Sequence, residues 1–422
     1  MSHNTPDGDT EAYASVIHDH IKEDRQTKVI ATLCMLLEQQ RQRVVSYKIN
    51  DNTALCAAVL LKRTDLVEYL ISKCGADVNK KGIYRQVEPT TLNLIVPPLW
   101  CAAVTGQIDI ATILISRGAD VNGWSDTQST PVRVACYEHD LPMVKFLVEK
   151  GANIFLANIK GGTCLMNSLG CTNLTTFLIS NGANVNDIES WGSTALHYAA
   201  MEGDVDSTRL LLQHGSDWTI LNNKQWTALM LAAYNGHDLV VQVFVDFGCL
   251  HQVQEAYALL GCHFVDKDCE KTRFYWKNSS NFLASIHVHK FLSHQYYDIA
   301  KTALSSANGI DLNELLNGEI DLEDKDKLYM KALLNYIGIL GENHEDTIHK
   351  IRYRGAVYAD NKMYQRCIDL WKYAYVLLLD KKDFLDHDTV LAASSLTNKF
   401  CEMQIAWQDK DTEVKVWFTY YQ

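Results

Sequence analysis

Thr53-Ala54-Leu55-Cys56-Ala57-Ala58 is the stretch from which the fold can be read, because the chain writes it again and again. It returns as Pro97-Pro98-Leu99-Trp100-Cys101-Ala102-Ala103 and Thr130-Pro131-Val132-Arg133-Val134-Ala135. It returns again as Thr163-Cys164-Leu165-Met166, Thr194-Ala195-Leu196-His197-Tyr198-Ala199-Ala200 and Thr227-Ala228-Leu229-Met230-Leu231-Ala232-Ala233. The starts are 44, 33, 33, 31 and 33 residues apart. A second ladder keeps the same phase: Gly75-Ala76-Asp77-Val78-Asn79, Gly118-Ala119-Asp120-Val121-Asn122, Gly151-Ala152-Asn153-Ile154, Gly182-Ala183-Asn184-Val185-Asn186 and Gly215-Ser216-Asp217. A 33-residue period with a TPLHxA-like signature is that of the ankyrin repeat. Thr or Pro opens the first helix of each unit, and alanines let neighbouring helices approach. The glycine ends the second helix in a left-handed conformation. One such unit cannot bury its own apolar face, so neighbours must stack, leaving a concave surface of first helices and fingers. The expected fold is all-α, an ankyrin solenoid over residues 49–250.

The rest of the chain is read outward from that array. Residues 1–48 are expected to be a polar tail and a degenerate capping repeat, with Val29 to Leu37 as its second helix. The 44-residue interval marks an enlarged finger at 80–96, and loops carried on a rigid scaffold often hold function. Residues 251–270 read as a connecting helix and turn. Residues 271–405 are rich in Trp, Tyr, Leu and Ala at helical spacing. Within them, Ala356 to Tyr375 has the pattern of a tetratricopeptide-type hairpin. Residues 406–422 form a tail without solenoid pattern.

Bulk properties exclude several classes. At 47% hydrophobic and 21% charged the chain is globular. The first residues lack the cationic start and apolar stretch of a signal peptide, and no run approaches the length of a membrane span. Twelve scattered cysteines without a CxxC pair read as reduced thiols. Together these predict a cytoplasmic protein, with the nucleus as the alternative compartment. A net charge of -12 argues against nucleic-acid backbone and for basic partners. There is no phosphate loop, HExxH or defensible nucleophile constellation. Cys249, His251, Cys262, His263 and Cys269 fit no common zinc spacing, so no metal or cofactor and no catalytic residue are expected. His197 is read as the structural histidine of its repeat.

Arg352-Tyr353-Arg354-Gly355-Ala356-Val357-Tyr358-Ala359-Asp360-Asn361, with Cys367-Ile368 and Leu370-Trp371, resembles the tetratricopeptide region of the Fem family of ankyrin proteins. The segments at Pro98 to Ala103, Ser129 to Tyr137 and Gly162 to Met166 are similar to that family too, as is a Leu259-Leu260-Gly261 turn. The resemblance covers about residues 16 to 405. It implies a substrate receptor of a cullin-RING ubiquitin ligase, reading degrons at protein C-termini that end in arginine. Family members also carry a VHL-box that docks elongin B/C and a cullin. Residues 406–422 contain no such box, so the alternative is an interaction scaffold without ligase coupling.

The resemblance also nominates residues. Arg133, Tyr137 and Glu138 match an Arg, an aromatic and an Asp of the family groove. Arg133 would hold the terminal carboxylate and Glu138 the terminal guanidinium. Arg133 and Tyr137, four apart, share a helix face. The plain alternative is a surface Arg–Glu helix terminus. Trp100 and Tyr198 match family aromatics, and Trp100 reads equally as packing between repeats. Glu88 is the nearest acid to a second family acid in the enlarged finger. Trp191 and Trp124 are not family residues, but finger-tip aromatics suit contact with a peptide. Gly170 stands where relatives carry tyrosine.

Overall fold

The structure is a computed structural model, and it describes residues 8–86, 92–249, 252–279, 297–305 and 324–381 together with four single positions, 292, 312, 315 and 394. The chain divides into two compact units, residues 1–228 and 229–422. The C-terminal stretch 406–422 lies outside the described residues.

The first unit opens with α1 (Gly8–Lys22), α2 (Gln26–Cys34) and α3 (Glu38–Ser46), with α1 packed on both others and on the first helix of the array. The run Val29 to Leu37, expected as one helix, is broken. Helix α2 stops at Cys34, and Leu37 takes an extended backbone that starts α3. The side chain of Gln40 accepts the Leu37 N–H at 3.0 Å and fixes that start.

Five helix pairs follow: α4 (Ala54–Leu60) with α5 (Thr64–Ser72), α6 (Pro98–Val104) with α7 (Ile108–Ser116), α8 (Pro131–Tyr137) with α9 (Leu141–Glu149), α10 (Cys164–Asn167) with α11 (Thr172–Ser180), and α12 (Ala195–Glu202) with α13 (Val205–Gln213). The Oγ atoms of Thr53, Thr130 and Thr163 each accept the N–H three residues on, capping the first helices as the motif implies. First helices touch in order, α4 to α6 to α8 to α10 to α12. Ala58, Ala102, Ala135 and Ala199 are fully buried between them. Cys56, Cys101 and Cys136 are buried and free of disulfides, filling space as small groups.

The Gly-Ala-Asp-Val-Asn ladder has a mechanical meaning. Asn79 donates from Nδ2 to the carbonyl of Gly118 at 3.0 Å and accepts the Asp120 N–H at 2.8 Å. Asn122 does the same to Gly151 and Asn153, and Asn186 to Gly215 and Asp217. Each asparagine thus clamps the backbone of the next repeat. At one step of the ladder Phe155 occupies the asparagine position, before Gly182, with its exposed ring against that glycine.

The enlarged finger is a two-stranded antiparallel hairpin, β1 (Gly82–Gln86) and β2 (Leu92–Val96), with Tyr84 opposite Leu94. Gly82 is required there, since a β-carbon would stand 2.3 Å from Asn52 Oδ1 and 2.9 Å from Cys56 Sγ. Residues 87–91 between the strands, including Glu88, lie outside the described residues.

The second unit contains α14 (Ala228–Asn235, from its second residue), α15 (Asp238–Asp246), α16 (Val253–Phe264), α17 (Cys269–Asn278), α18 (Tyr297–Leu304), α19 (Lys325–Leu340), α20 (Glu345–Asp360) and α21 (Tyr364–Lys381). Helices α19 to α21 share an apolar core of Met330, Ile337, Ile351, Leu370 and Leu377. Two tryptophans are seated in the same way. Trp276 lies against Gly261, where a β-carbon would meet its ring at 2.2 Å, and its indole N–H donates to Ala258 O. Trp371 lies against Gly355, where a β-carbon would meet its ring at 2.3 Å, and its indole N–H donates to Arg352 O. Gly261 is therefore inside a helix and not in the turn expected from sequence: it is small because an indole needs the room. No described helix is long and apolar enough to cross a membrane.

Two outcomes are expected. Phe155→Asn supplies the clamp at that step with two hydrogen bonds at little loss of burial. It should raise the stability of the array by about 1 kcal/mol in denaturant unfolding.

The other concerns His18, buried in α1 with no hydrogen-bond partner at Nε2 among the described residues. Burial, then the nearby Lys22, pulls its pKa from 6.5 to about 4. The unfolded chain takes up this proton first as pH falls. Stability should therefore drain away between about pH 6.5 and 4, by up to about 3 kcal/mol. Urea midpoints should fall across that window, and His18→Leu should flatten the fall.

Candidate functional site

The fingers are joined edge to edge. The Asp126 N–H donates to Ile95 O, Ile159 to Thr127 O, Ser190 to Lys160 O and Asn223 to Trp191 O, all between 2.8 and 3.0 Å. Inside each finger one side chain folds the tip. Asn158 Oδ1 accepts the N–H groups of Lys160 and Gly162. Asn222 Oδ1 does so for Lys224 and Trp226. At the equivalent position Glu189 accepts from Trp191 and Ser193, at 2.8 and 3.1 Å, and also from Ser190 Oγ. These bonds fix where the tip residues stand.

Between this wall and the first helices lies a groove of about 720 Å³. It is lined by Arg133 and Tyr137 of α8, by Met166, Asn167 and Leu169 at and after α10, by Tyr198 of α12, and by Lys160, Glu189 and Trp191 of the fingers, with His139 at one side. Tyr137 and Trp191 are 62% and 63% exposed, so two aromatic faces are open to a ligand.

Arg133 is the fixed point. Its Nε donates to Gly162 O at 2.8 Å, Nη1 to Ser129 Oγ at 3.2 Å and Nη2 to Asn167 Oδ1 at 3.4 Å. Asn167 in turn donates from Nδ2 to Arg133 O, locking the pair. Gly162 allows this, since a β-carbon would stand 2.8 Å from Nη2. The guanidinium is half-buried, and burial lowers its pKa from the ordinary value. Among the described residues no carboxylate lies within 4.0 Å of it, and three bonds leave two of its five N–H groups. A desolvated cation held without a counter-ion is prepared for an anion.

Four of the seven nominated residues meet in this groove: Arg133, Tyr137, Tyr198 and Trp191. Three do not. Trp100 is only 3% exposed and lies edge-on beneath Tyr84 of the hairpin, ring centres 5.1 Å apart, so of its two readings the structure fits packing. Glu138 is exposed at the C-cap of α8 and does not line the groove. Its charge is felt at Tyr84, where burial first and Glu138 second raise the phenol pKa. One residue beyond Tyr137 is enough to turn it towards the hairpin. Glu88 lies outside the described residues. The carboxylate that does line the groove is Glu189, 7% exposed, and it adds to burial in raising the Tyr198 pKa. Its tip-folding position was concealed in sequence because Asn fills it in the flanking fingers. His197 is structural: Nδ1 accepts the Thr194 N–H and Nε2 donates to Trp226 O.

Residues 90–158 and 162–254 match the ankyrin repeats family in three copies, and residues 50–83 match a single ankyrin repeat. The chain is 31% identical over 80% of its length to a protein fem-1 homolog A-like of Mus musculus, covering 57% of that relative. It is 32% identical over 76% of its length to a protein fem-1 homolog A of Rattus norvegicus, covering 55%. A fem-1 homolog of Drosophila melanogaster is 32% identical over 86% of the chain, covering 54% of the relative. The chain belongs to the Fem family. It spans little more than half the length of these Fem relatives. As a Fem-family ankyrin protein it is an interaction protein built of repeats, and the groove is where its array offers charge and aromatic surface together.

If Arg133 serves a ligand and not the fold, its removal should cost little. Arg133→Met is expected to change unfolding free energy by no more than about 1 kcal/mol, because two of its three partners, Gly162 and Asn167, are half-open to water. A loss of several kcal/mol in urea titration would mark the residue as structural instead.

Proposed function

We propose that this chain is a substrate-recognition subunit of a cullin-RING E3 ubiquitin ligase, a receptor without catalytic residues that binds C-terminal, Arg-ended degrons in the groove. The observation that carries the reading is Arg133, a half-buried guanidinium held at three points with no carboxylate partner among the described residues. A peptide's terminal carboxylate supplies that partner in a bidentate geometry. The ligase context, with elongin B/C and a cullin as further partners, is supported by membership of the Fem family.

The terminal arginine side chain then lies along the open faces of Tyr137 and Trp191, which attract a guanidinium through cation–π contact. Glu189 supplies the negative charge of that wall, in the role first assigned to Glu138. Its oxygens already accept three donors, and a carboxylate has about four acceptor positions, leaving one for the ligand.

Calorimetry with the full chain tests this. Each charge-assisted contact contributes roughly 1.5–3 kcal/mol, so amidating an Arg-ended peptide should weaken binding about tenfold or more. Glu189→Gln keeps the tip fold, as one oxygen of Asn158 and of Asn222 does in the neighbouring fingers. It should nevertheless remove most of the preference for Arg over Ala at the last position. Equal affinity for free and amidated peptides would refute the reading.

A further inference from the structure

One repeat of the array is shorter than the rest. The interval from Thr163 to Thr194 is 31 residues where its neighbours run 33. The structure places the loss in the first helix: α10 has four residues, against seven in α8 and eight in α12. The chain leaves α10 at Asn167 and passes through Gly170 at φ +87° into α11. Where α8 continues to Tyr137, α10 has nothing. The space is floored by Met166 and Leu169, half-buried, and flanked by Tyr137, Tyr198 and Trp191. His139 closes one side, its Cε1 3.4 Å from where a β-carbon on Gly170 would stand.

We infer that this space is a subsite for one large apolar side chain, aromatic or leucine-sized, close upstream of the terminal arginine in the same peptide. The inference rests on the proposed function, because Arg133 holds the carboxylate that brings the peptide over the floor. Three observations favour an apolar occupant. The groove, at about 720 Å³, is larger than one arginine side chain fills and is of the size that takes several residues. Its floor is a thioether and a branched alkyl group between aromatic rings. The amide and carboxylate groups nearest the floor are largely engaged: Asn158 Oδ1 by two backbone amides, Asn167 by Arg133 in both directions, and Glu189 by three donors. A carboxylate or amide seated on this thioether and alkyl floor would give up water for few partners there, whereas an apolar side chain gains from leaving it.

The test is a panel of fluorescent octapeptides ending in arginine, with each of the three preceding positions in turn set to alanine, phenylalanine or aspartate. Affinity for the full chain is read by anisotropy. At one position phenylalanine should bind at least tenfold more tightly than alanine, and aspartate no better than alanine. In the Met166→Glu variant, checked for fold by circular dichroism, the ratio of phenylalanine to alanine affinity should fall to about one. If all three positions vary by less than twofold while amidation still abolishes binding, the subsite is wrong and the carboxylate reading stands. If the ratio survives in Met166→Glu, the side chain sits elsewhere and the inference falls. If free and amidated peptides bind alike, the receptor reading itself fails and takes the subsite with it.

Discussion

Each repeat leaves both an apolar face and a row of backbone polar groups that it cannot satisfy alone. The first need is met by buried alanines and cysteines, which let α4, α6, α8, α10 and α12 lie close together. The second is met by asparagine clamps at one edge and by the amide-to-carbonyl links between finger tips at the other. Amides buried in the stack and left unpaired would offset much of the stabilisation that apolar packing supplies, so the two edges set the spacing of everything between them. The groove inherits its dimensions from that spacing. Arg133 reaches Gly162 and Asn167, one repeat further on, only because neighbouring repeats are held in register.

What was legible in the sequence followed from period. Two ladders in one phase revealed the stacking direction, the caps, the glycines and the buried thiols. The four nominated residues that line one groove lie on first helices or finger tips, where register alone brings residues together. The misplacements have local causes that a period does not carry. Glu138 falls at a helix end, where one more residue rotates the side chain away from its companions. For Trp100 packing and contact were equal readings, and the hairpin above it, which decides between them, does not show in an interval of 44. Glu189 stands in a position occupied by asparagine in the flanking fingers, so the repeat pattern did not single it out. The short interval at Thr163 is plain in the sequence, but only the structure shows that the loss came out of α10 and not out of a loop.

The second unit follows a different rule. Gly261 with Trp276, and Gly355 with Trp371, are two instances of one device, in which a helix gives up a side chain so that an indole can lie on its backbone. The indole N–H then meets a carbonyl three residues before the glycine in both cases. A glycine inside a helix is costly by itself, about 1 kcal/mol relative to alanine, and burying an indole with its donor satisfied more than offsets that. Read along the sequence, the first of these glycines looks like a chain reversal. Read in space, it is a socket.

The four-residue α10 has a meaning for how such a protein changes over evolutionary time. In a globular core, deleting two residues from a helix rotates every side chain beyond the gap by about half a turn and scrambles the packing. In an array where each module touches only its neighbours, the caps, clamps and tip links on either side absorb the deletion, and the modules further along keep their places. Novelty can therefore arise here by gain or loss of length as readily as by exchange of residues. The hairpin at Gly82 to Val96 and the clipped helix at Cys164 are then the two signs of one process, the former adding a wall and the latter a hollow.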